Sequence, residues 1–471
     1  MPQLTCDVVV LGGGGAGLAT AARAGELGLS AVVLERADQL GGTTARAVGS
    51  VAAAAGPPDS PDLHARDIAA LTGGDGVGHE TLLHTFVRSA PGTLAWLRSL
   101  GIRFVGPVHD DGSSAHRLYN ALPHAGIYVH VLEGRVRSTG GQVHTGFRAG
   151  RLLRDGGRVV GVEGRTRDGE QLVCRASRAV VLATGDFSGN DELKRQHLGT
   201  AYPPINPSND GSGFALAASA GGVLRSAGRA GWAHELRFVA PAGRTLLRRV
   251  PPSRATSAVL AHLAGRAPRR VFGALVSALS TTYLAPSPSV QEHGAVLLSG
   301  GGRRVDWGAG DDHALVPGEN YAIVLDRAAT RTFETSGAFI STAPGIAYAG
   351  LSDYRRFRRD LWHRCATADE VAATIGAPAE RVTDALAGRP GPFVLLGPAR
   401  AVQILTDGGL DVDESLRVLT DRGLPVPGLY AVGAAGQSCL ALPGHGNHLG
   451  WALTSGRLAA ERIRAQEADR W

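Results

Sequence analysis

The apolar pattern is clearest at the N-terminus. Cys6–Leu11 (CDVVVL) reads as a strand buried on both faces. Gly12–Gly17 (GGGGAG) interrupts it, and Leu18–Leu27 follows as a helix ending near Gly28. Ser30–Leu34 returns to a strand with Glu35 at its end. A helix is expected over 126–137. Three strand-like runs from Arg151 to Val181 alternate around DGG and DGE turns, which predicts a β-meander leading into Ala183-Thr184-Gly185. Gly428–Gly433 (GLYAVG) reads as a late strand, and a last helix is predicted over Leu449–Ala465.

Composition bounds this picture. The chain has 471 residues, 44% of them hydrophobic, enough for a large core and too many for wholesale disorder. Gly is abundant, at 66 residues, without a collagen period, so many turns and close backbone approaches are expected. The net charge of +6 is modest and the basic residues are scattered among acids. With no zinc-finger or RNA-recognition signature, nucleic-acid binding is not expected. Cys6, Cys174, Cys365 and Cys439 form no CxxC pair, which fits a reducing cytoplasm and no metal site. No secretory signal and no run of eighteen apolar residues is present, so a cytoplasmic chain is expected.

The candidate chemistry begins at the glycine turn. Gly12, Gly14 and Gly17 satisfy G-x-G-x-x-G between a strand and a helix, and Glu35 lies eighteen residues beyond Gly17. This is the dinucleotide-binding βαβ unit. The helix N-terminus presents free N–H groups and a positive dipole end to a pyrophosphate. Glu35 can accept ribose hydroxyls, which favours an unphosphorylated adenosine ribose, as in FAD or NAD. Gly41-Gly42-Thr43-Thr44 offers a second glycine pair beside hydroxyls.

GxGxxG with Glu35, then GGTTA, ATG, TDGG (Thr406–Gly409) and GLYAVG before the last helix together resemble the fumarate reductase/succinate dehydrogenase flavoprotein superfamily. The likeness covers roughly residues 5–235 and 395–465. Pro443-Gly444-His445-Gly446-Asn447-His448-Leu449-Gly450 resembles the P-G-x-G-x-x-x-G turn of its ketosteroid dehydrogenases. The resemblance implies an α/β fold: a discontinuous Rossmann-like FAD domain with β-meander over 1–232 and 402–471, and an inserted α+β cap over 233–401. It implies non-covalent FAD, since no histidine sits in GGTTA. The residues implied to hold it are Gly12, Gly14, Gly15, Ala16, Gly17, Glu35, Arg36, Gly41, Gly42, Thr43, Thr44, Ala149, Ala183, Thr184, Gly185, Gly433, Asn447 and Leu449.

The chain departs from the dicarboxylate-handling members. Gly308–Asp311 stands where their catalytic arginine follows, Ile404 and Leu405 where they carry paired histidines, and Pro443 where they carry a substrate arginine. A dicarboxylate would lack its charge-assisted partners. Ala434-Ala435 replaces the polar residue expected against the flavin tail.

The candidate catalytic groups are Tyr119 in a polar cluster (HRLYN), His445 and His448 at the flavin-edge turn, and His234. The expected activity is FAD-dependent α,β-desaturation of a cyclic or polyketide-like carbonyl compound, or reduction of the matching C=C bond. A flavin-dependent isomerase or cyclase, and a flavin oxidase, are the alternatives. The expected partners are a small-molecule substrate and a quinone, dioxygen or external reductase, because no second dinucleotide motif appears. Between Arg237 and Arg270 eight arginines occur with no acid among them after Arg237. They are expected to be solvated on the cap rather than to meet a membrane. The oligomeric state stays open.

Overall fold

The computed structural model describes residues 2–72, 76–110, 112–226, 234–239, 250–266, 285–307, 315–336, 338–343 and 347–466. The arginine-rich stretch and Gly308–Asp311 therefore fall largely outside the described residues.

The N-terminal pattern folds as read. β1 (Gln3–Leu11) leads through a glycine turn into α1 (Gly15–Glu26) and then β2 (Ala31–Leu34). β1 is central in an eight-stranded sheet. It pairs in parallel with β2 and with Gln171–Leu182, whose far side pairs in parallel with Pro425–Ala431. The meander strands Arg148–Asp155 and Arg158–Arg165 join Gln171–Leu182 in antiparallel register.

Register decides where a ligand can sit. Leu11 lies opposite Leu34 and Leu182, and Leu182 opposite Ala431. These parallel strands therefore end together at one edge. Gly12, Glu35, the Ala183-Thr184-Gly185 turn and Gly433 all emerge there. In an open α/β sheet this carboxyl edge is where ligands bind. The C-terminal helix, Asn447–Ala465, packs along α1, and Gly456 lets its backbone meet that of Ala16.

Two smaller sheets flank this layer. Ser50–Ala52, Leu118–Ala121 and Phe104–Val108 form a three-stranded antiparallel sheet. A six-stranded antiparallel sheet is built on Phe393–Gln403, which pairs with His234–Phe238, Asn320–Leu325 and Trp362–Cys365. Its faces carry cores of their own: Tyr321, Ile323 and Phe333 on one, Val296, Leu298 and Val371 on the other. Among the described residues no helix is long and apolar enough to cross a membrane.

Candidate functional site

The glycines of the first turn do different jobs. Gly12 has φ +108, a left-handed conformation, and any side chain there would strike the Ala183 carbonyl. A side chain at Gly17 would strike the carbonyl of Gly12. Both let the turn pack. Gly14 differs, because a methyl there would meet only the Gly41 carbonyl, at 3.9 Å. Gly14 bridges Gly41 in parallel fashion, and Gly41 N donates to Gly13 O at 2.9 Å. A side chain at Gly42 would meet only Gly14 Cα, at 3.6 Å, whereas one at Gly41 would strike Ala45, so Gly14 and Gly42 border a space the chain leaves open. α1 opens on it with Gly14 as N-cap, no capping side chain and no acid in its first turn. Its dipole and N–H groups suit an anion. The Gly15 N–H is held by Thr44 Oγ1 at 3.1 Å.

Glu35 braces the turn. Its Oε2 accepts from Gly13 N at 2.6 Å and its Oε1 from Ala37 N at 2.7 Å. Each oxygen keeps a lone pair for a ribose hydroxyl. Phe147 N donates to Glu35 O, bringing the strand that carries Ala149 to the acid. Arg36 is drawn outward, onto Asp210 and the Ser208 carbonyl.

Behind Thr43 lies a buried network. Asn206 and Asn209 each donate to Thr43 Oγ1 at 3.1 Å. Asn209 also donates to Asp186 Oδ1 at 2.8 Å, and Thr406 N to Asp186 Oδ2 at 3.1 Å. Burial pushes the Asp186 pKa up, against the bonds from Ser188, Asn209 and Thr406. This network ties the segment after Ala183-Thr184-Gly185 to the returning TDGG stretch. Thr184 itself packs on Gly213. Gly433 sits against Ala16, and its N–H donates to Ser455 Oγ at 2.9 Å.

The C-terminal turn forms a second cluster. The helix begins at Asn447 behind Gly446, which has φ +80 and provides no cap. A side chain at Gly446 would lie 2.7 Å from Ala52 N and from Leu118 Cδ1, so the turn is pressed against the small sheet. His445 is exposed and hydrogen-bonds through Nδ1 to Asp110 Oδ1 at 2.8 Å. Its backbone N–H donates to Asp110 Oδ2 at 3.0 Å. Asn447 is buried, with Oδ1 2.9 Å from His64 Nε2 and Nδ2 donating to the Pro443 carbonyl. Its amide is therefore engaged by the turn and not turned to a ligand. His448 is half-buried, and desolvation lowers its pKa to about 4, so it is neutral near pH 7. Leu449 is half-buried against the core.

A model of the family described as FAD binding domain matches residues 7–232 and 289–449. The chain belongs to this family. FAD is its cofactor, and the open space between the two glycine turns fits the pyrophosphate. This FAD-binding chain is 27% identical to 4-oxocyclohexanecarboxylate 2-dehydrogenase of Sinomonas cyclohexanicum, over 99% of this chain and 94% of that one. It is 30% identical to NADH:fumarate oxidoreductase of Klebsiella pneumoniae (strain 342), over 45% of this chain. That match spans only 24% of the relative's own length. Among solved structures, 3-ketosteroid-delta4-(5alpha)-dehydrogenase from Rhodococcus jostii RHA1 shares the fold with a TM-score of 0.65 and 20% identity, covering 98% of this chain and 97% of that one. A flavocytochrome c3 fumarate reductase in its open conformation gives a TM-score of 0.74 at 17% identity, covering 98% and 78%.

Within this FAD-binding chain one catalytic candidate is packed away from the turn, and the side chain of another is not described. Tyr119 is buried in the core, with the Arg98 guanidinium 4.9 Å from its ring centroid. Side chains alternate along a strand, so Tyr119 faces away from Leu118, the neighbour that meets Gly446. It is a packed ring, which corrects its reading as a substrate-facing group. His234 pairs with Gln403 in the six-stranded sheet, and its side chain lies outside the described residues. Conversely, the sequence does not single out Asp110 or His64. Asp110 stands in an HDDG turn that reads as solvated, and His64 on an amphipathic helix that reads as surface. Nothing local marks either as a partner of residues more than 300 positions away.

Proposed function

We propose that this chain is an FAD-dependent oxidoreductase acting on a CH–CH bond beside a carbonyl. In this reading it desaturates a cyclic or polyketide-like ketone, or runs that reaction in reverse. Residues 1–232 and 402–471 form the FAD domain, and residues 233–401 the cap over its substrate. The observation that carries the reading is the His445–Asp110 pair at the uncapped start of the C-terminal helix, in a chain built around an FAD cradle. The dehydrogenase relative aligned along nearly the whole chain acts, by its name, on a cyclic ketone. Ile404, Leu405 and Pro443 give no charge to grip a dicarboxylate.

The roles follow from the hydrogen bonds. With Nδ1–H donated to Asp110, the basic nitrogen of His445 is Nε2, which in this reading removes a proton alpha to the carbonyl. Asp110 fixes that tautomer and stabilises the imidazolium that results. The N–H groups of the uncapped helix start favour negative charge that develops at the turn. FAD held by the cradle at Gly14, Gly42 and Glu35 would supply the acceptor for the beta hydride. His448, being neutral, offers no charge. In the desaturation direction the electrons would leave to a quinone or dioxygen, and in the reverse direction they would arrive from an external reductase.

The test is anaerobic. A cyclic ketone should bleach the flavin band of the FAD-loaded protein, and a cyclic enone should reoxidise the photoreduced form. His445→Ala should slow the bleaching by about 10²–10⁴-fold with FAD still bound. Rapid reoxidation by fumarate, or an unchanged rate in His445→Ala, would overturn the reading.

A further inference from the structure

A small open-mouthed pocket lies against His445, walled by His64, Asp67, Asp110, Arg117 and Asn447. Its charge is one-sided. Arg117 is buried and already neutralised, by Asp59 through Nε and Nη2 at 3.0 and 2.8 Å and by Asp67 through Nη1 at 2.6 Å. Asp110 adds a second carboxylate, beside Asp67, to the pocket wall. Among the described residues that line the pocket, Arg117 and His445 are each bonded to a carboxylate, so an entering carboxylate meets like charge.

His64 adds an independent sign. Asn447 Nδ2 donates to Pro443 O, so Oδ1 is the atom turned to His64. That oxygen only accepts, which makes His64 Nε2 the N–H. The neutral ring then carries a lone pair on Nδ1. This atom is buried and has no hydrogen-bond partner. The ring stays neutral because burial, above all, holds its pKa down to about 4. Asp67 has acceptor capacity as well, since Ser114 N, Ser114 Oγ and Arg117 Nη1 all bond its Oδ2. A buried acceptor without a donor, as at His64 Nδ1, is rare in folded proteins and is completed by water or a ligand.

We propose that this pocket is a recognition subsite for a hydrogen-bond donor on the substrate, a hydroxyl or an ammonium group, and that it rejects a carboxylate. The word substrate rests on the redox reading above, but binding can be measured without turnover. The probes are 4-hydroxycyclohexanone, 4-aminocyclohexanone, 4-methylcyclohexanone and 4-oxocyclohexanecarboxylate. Each is titrated into the FAD-loaded protein at pH 7.5 under air-free conditions, with Kd read by calorimetry.

The hydroxyl or amino ketone should bind about 10-fold or more tightly than the methyl ketone, with the carboxylate weakest. His64→Phe should remove the hydroxyl preference, and Asp67→Asn the amino preference, with FAD retained. A carboxylate binding as tightly as the hydroxyl ketone, or a ranking unchanged in both variants, would overturn the subsite. The wild-type ranking decides the matter if either variant fails to fold. Selective binding without flavin bleaching would sink the redox reading and leave the subsite standing. Bleaching by all probes without any ranking would sink the subsite alone.

Discussion

Gly14 and Gly17 stand three residues apart in one motif, and the structure separates their duties. Gly17 is needed for packing, because a side chain there runs into the Gly12 carbonyl. Gly14 has φ −76, which any residue tolerates, and only the Gly41 carbonyl at 3.9 Å near its missing side chain. Gly14→Ala should therefore leave the apo protein melting within about 2 °C of wild type. Its methyl would stand where the pyrophosphate approaches, so FAD should bind at least ~10-fold more weakly, a loss of about 1.4 kcal/mol. Gly17→Ala should instead fail to give a soluble, cooperatively melting chain. Flavin fluorescence titration beside apo melting curves checks both. A Gly14→Ala protein with wild-type FAD affinity would remove Gly14 from the cradle.

At the scale of elements, legibility follows the range of the interactions involved. The βαβ unit, the meander and the last helix show in the sequence because their periodicities and turns are local. The structure shifts their ends by only a few residues, for example to Asn447 for the last helix. The small sheet and its clamp are not legible, because their partners are distant in sequence and each residue has a plainer local reading. Arg117 looks like one of many solvated arginines. Folded, it ties helix Pro61–Leu71, through Asp59 just before its start and Asp67 within it, to the strand Leu118–Ala121 beneath the turn. Ser60 caps the same N-terminus through Leu63 N at 3.1 Å. Arg117→Leu should strand two carboxylates with little exposure and destabilise the protein by about 3–5 kcal/mol. Urea unfolding would show it, and a change below about 1 kcal/mol would mean that the clamp is not buried as described.

Across the whole molecule, the carboxyl edge of the parallel sheet collects residues from both ends of the chain, and the C-terminal turn closes on a helix from its first hundred residues. Global stability should therefore record the state of the groups beneath that turn. His64 is the clearest reporter. Its folded pKa is about 4 against an ordinary 6.5, because burial disfavours the imidazolium more than Asn447 favours it. Above pH 6.5 the ring is neutral in both folded and unfolded chains. As the pH falls from 6.5 to 4, the unfolded chain takes up a proton that the folded chain refuses. The linkage amounts to about 3 kcal/mol of stability lost across that window. The depressed carboxylate Asp7, near 2 in the fold, acts only below its ordinary 3.8 and leaves the window clear. His448 adds a loss of the same sign. His64→Gln can still donate to Asn447 and does not titrate. The stability gap between wild type and this variant should thus shift by about 3 kcal/mol in favour of the variant between pH 7.5 and pH 4. Urea midpoints taken at half-unit steps measure it. A gap that stays constant across those steps would mean that His64 takes up its proton in the folded chain as readily as in the unfolded one.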